Sequence, residues 1–156
     1  MAVNVRPIMK HAWGVGLDLS RQLNERDAAK AVEPARVVIH VCETCRGTAD
    51  GTDLPRDGSR LAEATRDLAA AGIEVRGVSC LANCKRGLSA AILNPDGWSY
   101  VFGDLTTESA EDLLTGARLL AGSTDGLMPW KGRPDSLKRG MIARIPPLDF
   151  TPHQKP

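Results

Sequence analysis

The sequence has no excess of either charge and no long hydrophobic run. Its 20 Lys and Arg residues balance 19 Asp and Glu residues, for a net charge of +1. This balance does not predict binding to nucleic acid or to a membrane surface. No apolar run approaches the roughly 20 residues that span a bilayer, and Arg6 and Lys10 precede no apolar segment of a secretory signal. We therefore expect a cytoplasmic protein.

Patterns typical of hydrolytic active sites are also missing. No Ser/His/Asp arrangement, carboxylate pair or glycine-rich phosphate loop stands out, and we see no internal repeats. Of the three histidines, His40 lies within a strand-like run and is interpreted as a core residue rather than a ligand. His11 and His153 lie in ends without clear periodicity. The sequence therefore predicts a binding or carrier protein and not an enzyme.

Strand and helix patterns alternate through the middle of the chain. The β-branched run at 36–41 predicts a buried strand, residues 59–71 predict an amphipathic helix, and residues 73–77 predict a second strand. Such a strand–helix–strand unit makes its two strands parallel, with a right-handed crossover. The stretches 89–94 and 98–103 flank a Pro-Asp-Gly turn and predict a hairpin, and a second helix is predicted at 107–121. The predicted class is α/β, with the order β1-α1-β2-β3-β4-α2.

Three segments follow from these patterns. Residues 1–35 predict a partly flexible N-terminal extension, and residues 36–122 predict the folded domain. Residues 123–156 predict an extended, proline-rich tail that packs on the domain, because proline disfavours both helix and core strand. An alternative interpretation makes this tail, with six basic residues, a docking surface for an acidic partner; these are Lys131, Arg133, Lys138, Arg139, Arg144 and Lys155.

The four cysteines form two couples, each placed after a predicted strand: Cys42 with Cys45, and Cys80 with Cys84. Parallel neighbours end at the same edge of a sheet, about 5 Å apart. The crossover should therefore bring both couples together. Four thiols from two loops are typical of a metal centre that holds either zinc or an iron–sulfur cluster.

Three other interpretations of the cysteines compete with a cluster. In a thioredoxin-like thiol enzyme the reactive cysteine sits at a helix N-terminus, whereas Cys45 leads into a loop and the next helix is predicted only at Ser59. Structural zinc suits two couples, although compact zinc ribbons space them more tightly. Disulfides are not expected in a reducing compartment.

Basic residues follow both couples. Arg46 comes directly after Cys45, and Lys85 and Arg86 come directly after Cys84. Their charge would offset an anionic, sulfur-rich centre. We interpret these three residues as groups that tune the centre or dock a partner.

The sequence resembles a bacterial family of small predicted metal-binding proteins. The resemblance covers about residues 36–148 and rests on motifs that match in order: VCETCR at 41–46, CLANCKR at 80–86 and GWSYVFGDL at 97–105. The tail motifs DGLMPW at 125–130 and ARIPP at 143–147 are similar too.

That family has no settled function, but it looks like a branch of the thioredoxin-like [2Fe–2S] ferredoxins. The resemblance implies a thioredoxin-like β-α-β-β-β-α domain with a [2Fe–2S] cluster held by Cys42, Cys45, Cys80 and Cys84. The resemblance also implies a link to cobalt or cobalamin metabolism. A homodimer is one oligomeric state that it implies. The sequence departs from the ferredoxins in its first couple, which is C-x2-C where they have a longer interval.

Together these observations predict a ferredoxin-like one-electron carrier with a redox partner protein that the sequence does not identify. The alternative is a zinc-binding adaptor or metallochaperone without redox activity.

Overall fold

A five-stranded mixed sheet forms the centre of the fold. The computed structural model describes residues 37–47 and 55–151. Its strands lie in the order β2-β1-β3-β4-β5, and their bounds are β1 Val37–Cys42, β2 Ile73–Val78, β3 Ala90–Leu93, β4 Ser99–Phe102 and β5 Met141–Ile145.

The first crossover is the one that the sequence predicts. Helix α1, Asp57–Asp67, connects β1 to β2, and the two strands pair in parallel with Cys42 opposite Val78. Strand β1 forms because its β-branched side chains fit a pleated surface that is covered on one face. Val37, Ile39 and Val41 are fully buried on that face.

The hairpin and the second helix are confirmed as well. Strand β3 pairs antiparallel with both β1 and β4, and Asn94 closes the turn by accepting the N–H groups of Asp96 and Gly97. Helix α2, Ala110–Ala121, follows a 3-10 turn in which the Thr106 and Ser109 side chains form a capping box. The order β1-α1-β2-β3-β4-α2 is thus the α/β arrangement that the sequence predicts.

The core lies between one face of the sheet and helices α1 and α2. Aliphatic residues supply most of it, and Tyr100 and Phe102 contribute two rings whose centroids lie 6.3 Å apart. The helices contribute the buried side chains Leu61, Leu113, Leu114, Ala117 and Leu120. His40 is half-buried on the opposite face, in a groove that it shares with Arg76, and does not belong to the core cluster. Burial and the nearby Arg76 lower the pKa of His40.

The C-terminal segment differs from the extended tail that the sequence predicts. Residues Asp135–Arg139 form a short helix, α3, and β5 pairs antiparallel with β4 at the edge of the sheet. The prolines permit this because Pro134 precedes the first helical residue and Pro146 follows the last strand residue, where no ladder hydrogen bond is required. Leu137 is fully buried, whereas Trp130 is 63% exposed.

The predicted boundaries at 35/36 and 122/123 stay a prediction. The predicted N-terminal extension, residues 1–35, lies outside the described residues. Within the described ranges, no helix is long and apolar enough to cross a membrane.

Among the contacts between the C-terminal segment and the core, one buried hydrogen bond can be tested. The Met128 backbone N–H donates to the Tyr100 hydroxyl over 2.9 Å, and both residues are buried. Tyr100→Phe leaves that N–H without its acceptor, so we expect the free energy of unfolding to fall by about 1–3 kcal/mol. Urea unfolding measures it. Unchanged stability would show that the segment does not depend on this contact.

Candidate metal centre

The four cysteines line one cavity at the edge of the sheet where β1 and β2 end. Cys42 is the last residue of β1, and Cys80 follows the end of β2 by two residues. Cys45 closes the turn after β1, and Cys84 opens a 3-10 turn, Cys84–Arg86. The cavity has a volume of about 290 Å³, and its lining also contains Thr44, Arg46, Arg56 and Asn83. The parallel crossover therefore brings the predicted couples together.

The two couples differ in their exposure to solvent. Cys42 and Cys45 are 2% and 6% exposed, whereas Cys80 and Cys84 are exposed. All four are free thiols. A group held between the couples would have a buried side against the sheet and an open side toward solvent.

The Cys42 sulfur contacts both flanks of Cys80, which links the first couple to the second. It lies 3.7 Å from the Ser79 carbonyl oxygen, and the Leu81 backbone N–H donates a hydrogen bond to it. The Thr44 hydroxyl lies 3.8 Å from the same sulfur. Burial raises the pKa of Cys42, but the hydrogen bonds from Leu81, Cys45 and Thr44 outweigh burial and leave the pKa below its ordinary value.

The pKa of Cys45 is shifted in the opposite direction from that of Cys42. Burial raises its pKa to about 11, the adjacent Cys42 sulfur adds to the effect, and hydrogen bonds from Ser89 only partly oppose it. In the metal-free protein Cys45 is therefore a neutral thiol at pH 7. A metal that binds there must release its proton.

Asn83 fixes the loop of the second couple, and the sequence analysis missed it. Its side-chain amide donates to the Arg86 carbonyl over 3.1 Å and to the Ser89 hydroxyl over 2.9 Å. The Ala82 backbone N–H donates to the Cys80 sulfur over 3.2 Å. The available signal was an amide side chain between two cysteines in a segment without strand or helix periodicity.

The N-terminus of α1 packs against the first cysteine loop. The Gly58 N–H donates to the Cys45 carbonyl over 3.1 Å, and the Ser59 hydroxyl donates to the Glu43 carbonyl over 3.1 Å. The sequence places this helix many residues after Cys45, but folding brings its first turn onto the loop. The Gly58 contact satisfies a backbone donor that a helix end leaves without a partner, and both contacts put the positive end of the helix dipole near the thiols.

The three predicted basic residues have different positions. Arg46 is exposed and lines the cavity, and Lys85 is exposed in the turn after Cys84. Arg86 instead forms an ion pair with Asp104, whose Oδ2 lies 2.6 Å from its Nη2, and also donates to the Arg139 carbonyl. The structure therefore commits Arg86 to a contact within the domain.

The cysteine side chains are gathered at one cavity without converging on one point. Over residues 37–47 and 55–151, no three His, Cys, Asp or Glu side chains are arranged to hold a metal ion. A centre bound to all four thiols would need their side chains to rotate toward it.

Residues 39–147 match the family described as "Protein of unknown function (DUF1636)". A search of curated proteins finds no match. A solved structure described as a thioredoxin-like [2Fe-2S] ferredoxin from Aquifex aeolicus is similar over 74% of this chain and 99% of that chain, with 16% identity and a TM-score of 0.47.

The packing of α1 on the cysteine loop gives a test at Gly58. A Cβ at this position would overlap the Cys42 carbonyl oxygen and come within 3.1 Å of the Cys45 backbone. We expect Gly58→Ala to lower the free energy of unfolding by about 1–3 kcal/mol, although alanine favours a helix over glycine by about 1 kcal/mol. Urea unfolding measures the loss, and faster reaction of the buried thiols with a disulfide reagent would report a loosened loop.

Gly122→Ala is the matched control, because its added Cβ would lie 3.4 Å from the Arg118 carbonyl, an ordinary contact. Its stability should stay within about 0.5 kcal/mol of the natural chain. Equal effects of the two substitutions would contradict the assigned contact.

Proposed function

We propose that this chain, which belongs to the DUF1636 family of proteins whose function is not established, binds a [2Fe–2S] cluster and acts as a one-electron carrier. Cys42, Cys45, Cys80 and Cys84 would be the ligands. The observation that carries the proposal is that all the cysteines of the chain line a single cavity.

The donor set and the size of the cavity fit such a cluster. Four thiols from two loops are the usual ligands of a [2Fe–2S] centre. The volume of about 290 Å³ is several times the roughly 30 Å³ that a water molecule occupies, which leaves room for more than one ion. A single zinc ion would require the four sulfurs to close to about 2.3 Å around one point.

The uneven exposure of the couples suits electron transfer. When bound, the cluster would supply one-electron oxidation and reduction. The buried couple, Cys42 and Cys45, would anchor it to the sheet, and the exposed couple would leave its other side accessible to a partner. Electron transfer between proteins requires a short path from the cluster to the protein surface. It does not require that the chain bind a substrate.

Backbone and side-chain donors near the sulfurs would stabilise negative charge. The Leu81 N–H donates to Cys42, the Ala82 N–H donates to Cys80, and Ser89 donates to Cys45. Hydrogen bonds to sulfur favour the more negative, reduced state of an iron–sulfur centre and so raise its potential. These hydrogen bonds would thereby raise the reduction potential of the bound cluster.

Two of the basic residues would support electron transfer in different ways. Arg46 lines the cavity, where its charge would offset the thiolates, and Lys85 is exposed beside Cys84, where it could meet an acidic face of a redox partner. Arg86 would contribute less, because Asp104 already neutralises it. We propose a reducing, cytoplasmic setting, in which free thiols persist.

Anaerobic purification followed by visible and EPR spectroscopy tests the proposal. We expect a red-brown protein whose EPR signal develops on reduction by one electron. A colourless protein with one zinc per chain would contradict the carrier and favour the adaptor interpretation instead.

Substitution of Cys84 tests the ligand set. Because a serine hydroxyl is a harder and weaker ligand than a thiolate, Cys84→Ser should lose most of the iron or hold it far less stably. Lys85→Ala is the control, since it changes the adjacent exposed residue and should retain the visible spectrum. Full iron content in Cys84→Ser would remove Cys84 from the site. Iron analysis and the visible spectrum of both variants provide the measurement.

A further inference from the structure

A second cavity lies at the other edge of the sheet, between β4, β5 and the segment that precedes α3. Its volume is about 520 Å³, and its lining includes Tyr100, Trp130, Arg133, Met141 and Arg144. The cysteine cavity shares none of these residues. Two arginines and two aromatic residues therefore line one concave site away from the metal centre. The Arg144 guanidinium lies 4.9 Å from the ring centre of Trp98, which does not line the cavity.

Arg133 is a buried cation at this site. It is 6% exposed, and its guanidinium lies 5.5 Å from the ring centre of Tyr100 and 5.3 Å from that of Trp130. Its hydrogen bonds go to the carbonyls of Met128 and Pro129 and, over 3.7 Å, to the Met141 sulfur. Three of its five N–H donors are thus used, one of them on a weak acceptor.

The positive charge of Arg133 has no carboxylate partner among the described residues. Neither Arg133 nor Arg144 forms an ion pair with an Asp or Glu there. Asp125 also lines the cavity, but its Oδ1 accepts the Leu127 N–H over 2.9 Å. Burial lowers the pKa of Arg133, the nearby Tyr100 partly opposes this, and the positive charge of Arg144 lowers the pKa further.

Burial of an uncompensated charge is costly, and a second cation nearby increases the cost. The contacts of Arg133 with the Met128 and Pro129 carbonyls hold the chain segment in place, and the rings of Tyr100 and Trp130 attract the cation. None of these groups carries a full negative charge that would neutralise it. An oxyanion between the two guanidiniums would remove the cost and use the remaining donors. Guanidinium groups bind carboxylate and phosphate oxygens through paired, charge-assisted hydrogen bonds.

We propose that this cavity binds a small organic anion. Its carboxylate or phosphate oxygens would lie at Arg133 and Arg144, and its flat apolar part would pack on the exposed ring of Trp130. The volume lies within the range of roughly 300–1,000 Å³ that is typical of small-molecule sites. A small molecule fits better than an acidic protein surface, because Arg133 lines the cavity and is only 6% exposed.

Calorimetric titration of the full-length protein with benzoate, phenyl phosphate and inorganic phosphate, at constant ionic strength, tests this site. We expect saturable binding of at least one aromatic anion to a single site. Arg144→Gln should weaken it at least about tenfold, as expected for loss of a charge-assisted hydrogen bond. Trp130→Ala should weaken binding of the aromatic anions and leave inorganic phosphate unaffected. The stronger of benzoate and phenyl phosphate identifies the oxyanion.

Arg139→Gln is the matched control. It removes the same charge from the same segment, but Arg139 is 84% exposed, pairs with Asp135 and does not line the cavity. Its effect should stay within about twofold, because exposed charges are screened by salt.

Equal weakening by Arg144→Gln and Arg139→Gln would overturn the proposal, and so would the absence of saturable binding by both aromatic anions. An acidic peptide is titrated in the same way, and saturable binding of the peptide alone would overturn the proposal in favour of a protein partner. None of these measurements uses Arg133→Gln, so the result does not depend on whether that variant folds.

Discussion

The parallel pairing of β1 with β2 is the constraint on which the candidate metal centre depends. It sets Cys42 opposite Val78 and sends both chain segments out of the sheet at the same edge. A slip of one residue in this register would turn Val37, Ile39 and Val41 away from the helices and expose the buried face of β1. The hydrophobic core therefore fixes the position of the cysteines, and no contact between the couples is needed to do so.

Contacts within the two cysteine loops fix the positions of the cysteines at this edge of the sheet. The first turn of α1 holds the Cys42–Cys45 loop through Gly58, and Asn83 holds the loop of the second couple. The two sites that we propose lie at different edges of one sheet. The cysteines lie where β1 and β2 end, and the two arginines line a cavity at the β4–β5 edge.

Much of this arrangement follows from sequence patterns, because β-branched runs, amphipathic stripes and turn residues are local signals. They place β1, α1, β2, the hairpin and α2, and the crossover rule places the cysteines together. Three features escape them. The C-terminal helix and strand are compatible with the prolines because Pro134 and Pro146 lie just outside their ends. The contact of Gly58 with Cys42 and the burial of Arg133 depend on residues distant in sequence, whose packing no periodicity records.

Native mass spectrometry of the anaerobically purified protein, with quantification of iron and acid-labile sulfide, tests the central claim most directly. The account predicts one species per chain whose added mass equals two irons and two sulfides. Replacement of the four cysteines by serine should abolish that species. A chain that carries a single zinc ion, or no metal under these conditions, would contradict the assignment of the cavity to a [2Fe–2S] cluster.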